Sequence, residues 1–421
     1  MMRSFFFSLL LTFPMLCQAQ DSAYVRRMID SLCAPRYHGR GYVLNGDVKA
    51  ADFLVRQCKS IGLAPLKGSF TQAFELGVNT FPGAMDLSIN GKLLETGEDY
   101  IPNPNSYALH GDFKAFSLKP KWTDKREKLF KLSLQEKVKK SMVVLDATDD
   151  SPANQAYIAR LGENPINAKG YVVLTDKKLT WSVGRRMYNI PILEVTKDSV
   201  GKKIRSISLD MDQAWVSNYQ AKNVTAYIPG MKDSMVVFTA HYDHLGRMGA
   251  DTYIAGASDN ASGTAMLLDL ARHYKMHPPE YTTVFIWFAG EEAGLVGSTF
   301  FVDHSPIELN KIKFLLNLDL MADAKTGITA VNGKIFSDQF DNLVRVNNEV
   351  SKLSSIKARG SAANSDHYPF FQKDVPCFFI YTMGDYKHYH DIHDVPENIP
   401  LTNYKKVFDL MTGFVARGLD Y

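Results

Sequence analysis

Short apolar runs alternate with stretches of helical periodicity in the C-terminal half of the chain. Continuous apolar runs are typical of parallel strands, because both faces of such a sheet are covered. Between the first two runs, apolar residues from Met266 to Tyr274 recur at helical spacing. Strands that alternate with helices predict an α/β fold, with helices on both faces of a mixed, mostly parallel central sheet. The four runs expected to be strands are Met235–Thr239, Thr283–Ala289, Ile312–Leu318 and Pro376–Tyr381.

Helical periodicity also marks the two ends of the predicted fold. We predict helices near Ser22–Leu32 and Asp47–Ile61, and a last helix with Tyr404, Phe408 and Met411 on its apolar face. Residues 81–218 are less regular and contain strand-like runs at 142–145 and 170–174. We therefore predict one discontinuous domain formed by residues 20–80 and 219–421, with a smaller β-rich domain inserted at residues 81–218.

The N-terminus has the pattern of a secretory signal peptide. One Arg precedes the apolar run Phe5–Phe13, and Cys17, Gln18 and Ala19 follow it. Because this run is too short to span a bilayer and ends in small residues, residues 1–19 are expected to be removed on export. Cys17 leaves a lipid anchor open, although the residues before it lack the small side chain that such a signal usually needs. No later segment suits a membrane helix, so we expect an exported protein, periplasmic or extracellular.

Charge and cysteine content narrow the functional classes. The net charge of +3 argues against a dedicated nucleic-acid-binding protein. After the signal peptide, Cys33, Cys58 and Cys377 remain, and their spacing is not that of a metal site. Export permits a disulfide between Cys33 and Cys58, which the sequence leaves open. None of the three lies in a context that would activate a nucleophile.

A set of acidic and histidine residues follows the predicted strands. Several members come at or just after the C-terminal end of a strand, where open α/β sheets build their sites. Taken singly, most of them have an ordinary structural interpretation as a turn, a helix cap or a surface histidine. Asp319 differs, because a carboxylate inside so apolar a run would be costly to bury without a cation. The set comprises His241, Asp243, Asp259, Glu291, Glu292, Asp319 and His390.

These residue types match the needs of a hydrolase with two metal ions. Zinc accepts imidazole nitrogen and carboxylate oxygen. Two ions about 3.5–4 Å apart need a bridging carboxylate and can hold a hydroxide between them, and a further carboxylate must stay off the metal to accept a proton. Adjacent Glu291 and Glu292 can supply one ligand and one base. Asp243 can accept the second imidazole N–H of His241 and so fix its tautomer.

Five segments resemble the zinc aminopeptidases of the bacterial leucyl aminopeptidase type: Thr239–Gly246, Gly256–Gly263, Ala289–Leu295, Asn317–Met321 and Ser365–Phe370. Glutamate carboxypeptidase and glutaminyl cyclase are more distant relatives. The resemblance covers residues 219–421 well and residues 21–80 loosely. It implies a fold of the zinc exopeptidase type and gives each residue of the set a role. His241 and Asp319 would bind one zinc ion, Glu292 and His390 the other, with Asp259 bridging both and Glu291 as the general base.

Three finer features follow from the same resemblance. The peptide bond between Asp259 and Asn260 would be cis. In the tail, aligning the family's usual Asp with Asp394 makes His390 the last ligand, with His393 as the alternative and His388 behind both. Residues 167–199 weakly resemble the protease-associated domain that relatives carry as an insertion, and an unrelated insertion is the alternative.

The function implied by the resemblance is that of an exported zinc aminopeptidase with two zinc ions per chain. It would hydrolyse N-terminal residues from peptides with a metal-bridged hydroxide and Glu291 as the base. Two alternatives stay open. A glutaminyl cyclase-like transferase would hold a single zinc ion, and the intact Glu291–Glu292 pair argues against it. A non-catalytic binding protein on the same fold would usually lack metal ligands. Side-chain preference, carboxypeptidase or dipeptidase action and oligomeric state are not determined by the sequence.

Overall fold

The computed structural model describes residues 21–419, so the expected signal peptide at residues 1–19 lies outside the described residues. Within that range, no helix combines the length and the apolar character needed to cross a bilayer. The helices are α1 (Ser22–Leu32), α2 (Gly46–Ile61), α3 (Arg126–Ser133), α4 (Glu136–Lys139), α5 (Pro152–Ile158), α6 (Gly263–Met276), α7 (Val296–Asp303), α8 (Ser337–Val346), α9 (His367–Phe371) and α10 (Tyr404–Arg417).

The strands are β1 (Ala64–Pro65), β2 (Thr71–Thr80), β3 (Met85–Ile89), β4 (Lys92–Leu94), β5 (Tyr100–Pro102), β6 (Leu109–Ser117), β7 (Ser141–Asp146), β8 (Gly170–Thr175), β9 (Ile192–Thr196), β10 (Ser206–Met211), β11 (Ala214–Ile228), β12 (Lys232–His241), β13 (Gly246–Met248), β14 (Thr252–Ile254), β15 (Tyr281–Phe288), β16 (Ile312–Leu318), β17 (Gly327–Val331), β18 (Ile356–Ala358) and β19 (Cys377–Met383).

A nine-stranded mixed sheet forms the centre of the fold. Its strand order is β1-β11-β15-β12-β16-β19-β17-β18, and β2 pairs with β11. β15, β12, β16 and β19 are parallel neighbours, whereas β11 runs antiparallel to β15 and β17 runs antiparallel to β19. The four apolar runs predicted as strands are these four parallel neighbours. Their C-terminal ends meet at one edge of the sheet, where an α/β fold opens a crevice.

Helices cover both faces of this sheet, as the alternating pattern predicts. On β12, Val236 and Phe238 join an apolar core with helices α1, α2, α6 and α10. On the same strand, Val237 enters a second core that includes Phe301 of α7 and Phe370 of α9. Because successive residues of a strand point to opposite faces, burial on both faces explains why these strands are apolar without interruption.

Helix α1 has the predicted bounds, and its N-terminus shows a clear local cause. The carboxylate of Asp21 accepts the backbone N–H of Tyr24 at 3.0 Å, which satisfies a donor that the helix itself leaves free. The apolar face then buries Val25, Ile29 and Leu32 against the core. The sequence therefore determines this helix through one capping residue and one apolar stripe.

A second sheet of eight strands lies within residues 81–218. Its order is β4-β3-β10-β6-β7-β8-β9-β5, and β6, β7, β8 and β9 are parallel neighbours. The two strand-like runs predicted in this region are β7 and β8. Helices α3, α4 and α5 contribute Leu132, Val138 and Tyr157 to an apolar core with these strands. We refer to residues 81–218 below as the insertion.

The three cysteines of the described range are buried free thiols. Cys33 and Cys58 are therefore not joined by the disulfide that the sequence left open. Burial raises the pKa of Cys33, Cys58 and Cys377 to about 12. Thiols held neutral in this way are poor nucleophiles and poor metal ligands, in line with the sequence-based exclusion of cysteine catalysis.

Candidate metal centre

The predicted site residues converge at the C-terminal edge of the parallel strands. His241 is the last residue of β12, and Asp319 directly follows β16. Glu291 and Glu292 come shortly after β15. Asp259 enters from the segment between β14 and α6, and His390 enters from the loop after β19. Strand ends therefore deliver four of these side chains, and two loops deliver the others.

Asp259 lies between two imidazole rings, with one carboxylate oxygen facing each. Its Oδ1 is 3.3 Å from His241 Nε2, and its Oδ2 is 3.1 Å from His390 Nε2. Asp319 Oδ1 lies 3.3 Å from the same nitrogen of His241, and Glu292 Oε2 lies 3.2 Å from His390 Nε2. Two groups of three residues therefore share Asp259. The peptide bond between Asp259 and Asn260 is cis, as the resemblance implies.

The chemistry of this donor set fits zinc. The ligand atoms of His241, Asp259 and Asp319 all lie within 4.8 Å of one another, and those of His241, Glu291 and Glu292 do the same. Imidazole nitrogen and carboxylate oxygen are ligands that zinc accepts. Four carboxylates gather here around the imidazoles of His241, His244 and His390. Burying that much negative charge is costly unless cations neutralise it, so the cluster favours the binding of positively charged ions.

The two central carboxylates have opposite pKa shifts. Burial raises the pKa of Glu291 well above its ordinary value, and the charge of His241 only partly opposes this while Glu292 adds to it. Burial also acts to raise the pKa of Asp259, but hydrogen bonds to His241 and His390 outweigh it and hold that pKa well below its ordinary value. Carboxylates whose environments separate their pKa values in this way are suited to different tasks, one as a ligand and one as a proton carrier.

Asp243 lies beside His241, but its closest contact with the ring is through the backbone. His241 Nδ1 is 3.2 Å from the carbonyl oxygen of Asp243 and 3.8 Å from its carboxylate Oδ1. The carboxylate instead accepts the hydroxyl of Tyr42 at 3.1 Å and the backbone N–H of Glu291 at 3.3 Å. Asp243 therefore connects the loop of His241 with the loop of Glu291, and its carbonyl is the nearer acceptor for the imidazole N–H.

A buried chain of hydrogen bonds orients Asp319. Thr239 Oγ1 donates to Asn317 Oδ1 at 2.6 Å, and Asn317 Nδ2 donates to Ser365 Oγ at 2.8 Å. Ser365 Oγ then donates to Asp319 Oδ2 at 2.8 Å. With Oδ2 occupied in this way, Oδ1 is the oxygen that faces His241. Partners of this kind fix the orientation of a metal ligand.

The structure brings His390 into the cluster and places His393 outside it. Asp394, the residue on which the alignment of the tail depends, accepts the backbone N–H groups of Ser258 and Asp259 at 2.8 and 3.0 Å. His393 is about half exposed, and its Nε2 lies 3.0 Å from Glu98 Oε2 in the insertion. His388 lies 3.4 Å from Asp391 and is not among the residues around Asp259.

His244 is part of the centre, although the sequence analysis gave it no role. Its Nδ1 lies 2.7 Å from Glu292 Oε1, while its buried Nε2 has no hydrogen-bond partner within the described residues. The ligand atoms of His244, Asp259 and Glu292 also lie within 4.8 Å of one another. The signal was present in the segment Thr239–Gly246, where His244 stands three residues after His241.

Arg40 is a second residue that the sequence did not assign to the site. Its fully buried guanidinium donates to the carbonyl oxygens of Tyr242, Ala255 and Gly256 at 2.7, 2.6 and 2.7 Å, and to that of Asp259 at 3.2 Å. A buried cation needs such acceptors. Arg40 thus joins the loop of His241 to the loop of Asp259. The flanking Gly39 and Gly41 were visible in the sequence, and both pack directly against the backbone of Gly246.

A pocket of about 210 Å³ opens onto the metal centre. Leu320, Phe379 and Tyr381 give it apolar and aromatic walls, and Arg359 and Asn364 also line it. The ring of Tyr389 stacks on His390 with their centroids 3.8 Å apart. A larger cavity of about 460 Å³ lies in the insertion, but none of the seven predicted site residues lines it. Chemistry rather than size therefore identifies the smaller pocket as the candidate site.

Two curated relatives of the chain are aminopeptidases by name. Aminopeptidase YwaD of Bacillus subtilis (strain 168) is 24% identical over 273 residues, which cover 59% of this chain and 56% of the relative. A probable leucine aminopeptidase of Trichophyton verrucosum (strain HKI 0517) is 28% identical over 222 residues, which cover 48% of this chain and 58% of the relative. The chain thus spans little more than half the length of these curated relatives.

Solved structures share the fold over nearly the whole described chain. BSAP, a zinc aminopeptidase from Bacillus subtilis, matches with a TM-score of 0.70 and 18% identity, covering 94% of this chain and 96% of the other. The aminopeptidase from Aneurinibacillus sp. strain AM-1 matches with a TM-score of 0.64 and 19% identity, covering 94% and 93%. At such identities the likeness concerns the fold, and function has to be argued from the site.

A family likeness is found in the part of the chain that contains the candidate metal centre. Residues 223–415 match the sequence profile of Peptidase family M28. All seven predicted site residues, from His241 to His390, lie inside the matched range. The likeness to Peptidase family M28 therefore covers the whole candidate metal centre.

Proposed function

We propose that this protein is a zinc-dependent aminopeptidase with two zinc ions per chain. One observation carries the proposal: the two carboxylate oxygens of Asp259 face two different imidazoles, His241 at 3.3 Å and His390 at 3.1 Å. A carboxylate placed in this way suits a bridge between two ions. The aminopeptidase names of the relatives support the same reading.

The residues of the two groups divide the ligands between the ions. His241 and Asp319 would hold one zinc ion and Glu292 and His390 the other, while Asp259 would bridge both. When bound, zinc would polarise the scissile carbonyl and make a nearby water more acidic. His244 would keep Glu292 Oε2 turned toward His390 by binding Oε1, from which its Nδ1 is 2.7 Å away.

Glu291 would move the proton. Its carboxylate lies within 4.8 Å of the ligand atoms of His241 and Glu292, and burial raises its pKa, which makes the ionised carboxylate a stronger proton acceptor. Glu291 would accept a proton from the attacking water and pass it to the amine that leaves as the peptide bond breaks. Asp243 Oδ1 accepts the backbone N–H of Glu291 at 3.3 Å, which fixes the start of this loop.

The pocket supports action at a chain end. Its volume of about 210 Å³ and its walls from Leu320, Phe379 and Tyr381 suit one side chain rather than a long stretch of peptide. We therefore propose peptide substrates whose N-terminal residue enters this pocket. Export of the protein is also part of the proposal, and its support is the apolar run Phe5–Phe13.

The two alternative functions are less well supported by the geometry. A glutaminyl cyclase-like transferase would need one zinc ion, whereas Asp259 faces ligands on both of its sides. A binding protein without activity would have no use for the carboxylate of Glu291, which lies within 4.8 Å of the ligand atoms of His241 and Glu292 and is not assigned to either ion. Both alternatives remain as outcomes of the experiment below.

The direct test uses the purified protein with aminoacyl p-nitroanilides and a peptide library. Hydrolysis that a chelator abolishes and added zinc restores is the expected result, and single residues released from N-termini would show aminopeptidase action. Conversion of N-terminal Gln to pyroglutamate without hydrolysis would indicate the cyclase. Zinc binding without any turnover across the library would indicate the binding protein and contradict the proposal.

A further inference from the structure

The insertion contacts the last predicted metal ligand directly. The backbone N–H of Trp181 donates to the carbonyl oxygen of His390 at 3.0 Å. In return, the Nδ1–H of His390 donates to the carbonyl oxygen of Trp181 at 2.8 Å. This second hydrogen bond places a proton on Nδ1 and leaves Nε2 as the ring nitrogen that faces Asp259 and Glu292. Residues 178–185, which contain Trp181, are called the strap below.

Lys178 of the strap holds the same loop on both sides of His390. Its Nζ donates to the carbonyl oxygens of Lys387 and Tyr389 at 2.7 and 2.9 Å. It also forms an ion pair with Asp391 at 2.6 Å, and the side chain of Asp391 is only 8% exposed. The ammonium group of Lys178 therefore contacts three oxygens of residues that precede and follow His390.

A third strap residue contacts the loop of the other ligand in this group. Arg185 Nη1 donates to the carbonyl oxygen of Ala293, the residue after Glu292, at 3.1 Å. Among residues 21–419, the strap has no hydrogen bond or ion pair with His241 or Asp319. Its contacts are therefore selective for the side of the centre formed by Glu292 and His390.

The backbone of His390 explains why such support matters. Its φ of +57° lies in the left-handed region, which a residue with a Cβ rarely adopts without an outside constraint. The contacts from Trp181 and Lys178 supply that constraint from a different part of the chain. Without them, the loop would be free to leave this conformation and to turn the imidazole away from Asp259.

We propose that the strap is a positioning element for the zinc ion that Glu292 and His390 would hold. The affinity for this ion then depends on the contacts that the insertion makes with the loop of His390. The inference rests on the proposed function, because it assumes that zinc occupies the centre. It makes Lys178 a positioning residue that acts through His390 without touching the substrate. Loss of the strap contacts would weaken the binding of this ion and leave the other ion bound by His241 and Asp319.

The test compares zinc release from two neighbouring lysine variants. Lys178→Met removes the ammonium group from the His390 loop, while Lys177→Met makes the same change at an exposed residue that does not contact that loop. Zinc is titrated out of the full chain with a chromogenic chelator. We expect Lys178→Met to lower the affinity for one of the two ions by about tenfold or more, as is typical when a group that orients a ligand is lost. Lys177→Met should match the wild type, and Lys178→Arg should recover most of the affinity.

A His390→Ala variant identifies the affected ion. The ion that His390→Ala fails to bind should be the one for which Lys178→Met has a lower affinity. A second pair, Arg185→Met against Arg186→Met, repeats the comparison so that the test does not depend on one variant folding. Wild-type affinity for both ions in Lys178→Met and Arg185→Met, or equal weakening of both ions, would overturn the positioning role. Failure of the wild type to bind zinc or to hydrolyse peptides would instead overturn the proposed function, so the two failures are distinguishable.

Discussion

The guanidinium of Arg40 donates to the backbone carbonyl of Asp259 at 3.2 Å, although 219 residues separate the two in the chain. Arg40 also donates to the carbonyl oxygen of Tyr242, which lies between His241 and Asp243, and to that of Ala255, so one buried cation fixes two ligand loops relative to each other. The metal centre is therefore organised partly from the N-terminal segment, which supplies none of the predicted ligands.

Arg40→Met should lower the free energy of unfolding by about 3 kcal/mol or more, because several buried carbonyls lose their donor at once. The measurement is urea denaturation in the presence of a chelator, so that bound metal does not contribute to the difference. Arg36→Met, a change at an exposed arginine that stacks on Tyr37, is the control and should be close to neutral. A urea denaturation midpoint of Arg40→Met equal to that of the wild type would show that the hydrogen bonds of Arg40 are not needed for stability.

The two tail histidines should differ in their effect on metal content. His390→Ala removes a ring whose Nε2 lies 3.1 Å from Asp259 and 3.2 Å from Glu292, so the protein is expected to hold one zinc ion instead of two. His393→Ala should keep both ions, because that ring is about half exposed and pairs with Glu98. Zinc per chain, measured by elemental analysis after dialysis, decides between them. The reverse pattern would make His393 the ligand.

Acid stability should depend on His273, which lies in α6 away from the metal centre. Burial lowers the pKa of His273 to about 4, and the nearby His277 adds to the effect. Since its folded pKa is below the unfolded value of about 6.5, its contribution to stability is complete above that value and is lost as pH falls toward 4. His273→Gln should therefore lose less stability than the wild type between pH 7 and pH 4.5.

Between pH 7 and pH 4.5, we expect the loss of stability to be about 1–2 kcal/mol smaller in His273→Gln than in the wild type. The value is modest because the ring of His273 is only partly buried and water screens part of the cost. Denaturation of the chelated proteins at both pH values provides the measurement. His304→Gln, at an exposed histidine, serves as the control and should follow the wild type. Parallel pH dependence of His273→Gln and the wild type would rule out this role.

Much of the fold and most of the candidate ligands could be predicted from local sequence. Helix α1 has the predicted bounds because a capping Asp21 precedes a regular apolar face. The parallel strands could be recognised because burial on both faces leaves an unbroken apolar run. His241 and Asp319 were found for the same reason, since each is a polar residue at the end of such a run.

What could not be predicted depends on contacts between distant parts of the chain. Arg40 and the strap act through hydrogen bonds to backbone carbonyls, and no periodicity or spacing records which carbonyl a side chain will meet. Lys178 looks like any surface lysine in sequence, and 209 residues separate it from Lys387. The nearer contact of His241 with the carbonyl of Asp243 likewise depends on the turn of the loop rather than on residue type.

The most direct test of the central claim is the Glu291→Gln variant, measured for both zinc content and turnover. Glutamine keeps the size of the side chain but cannot accept the proton, so kcat on an aminoacyl p-nitroanilide should fall by about 100-fold or more. Because Glu291 is proposed as a base and not as a ligand, the variant should still bind two zinc ions per chain. Full activity in Glu291→Gln, or a loss of zinc that accounts for its inactivity, would contradict this role.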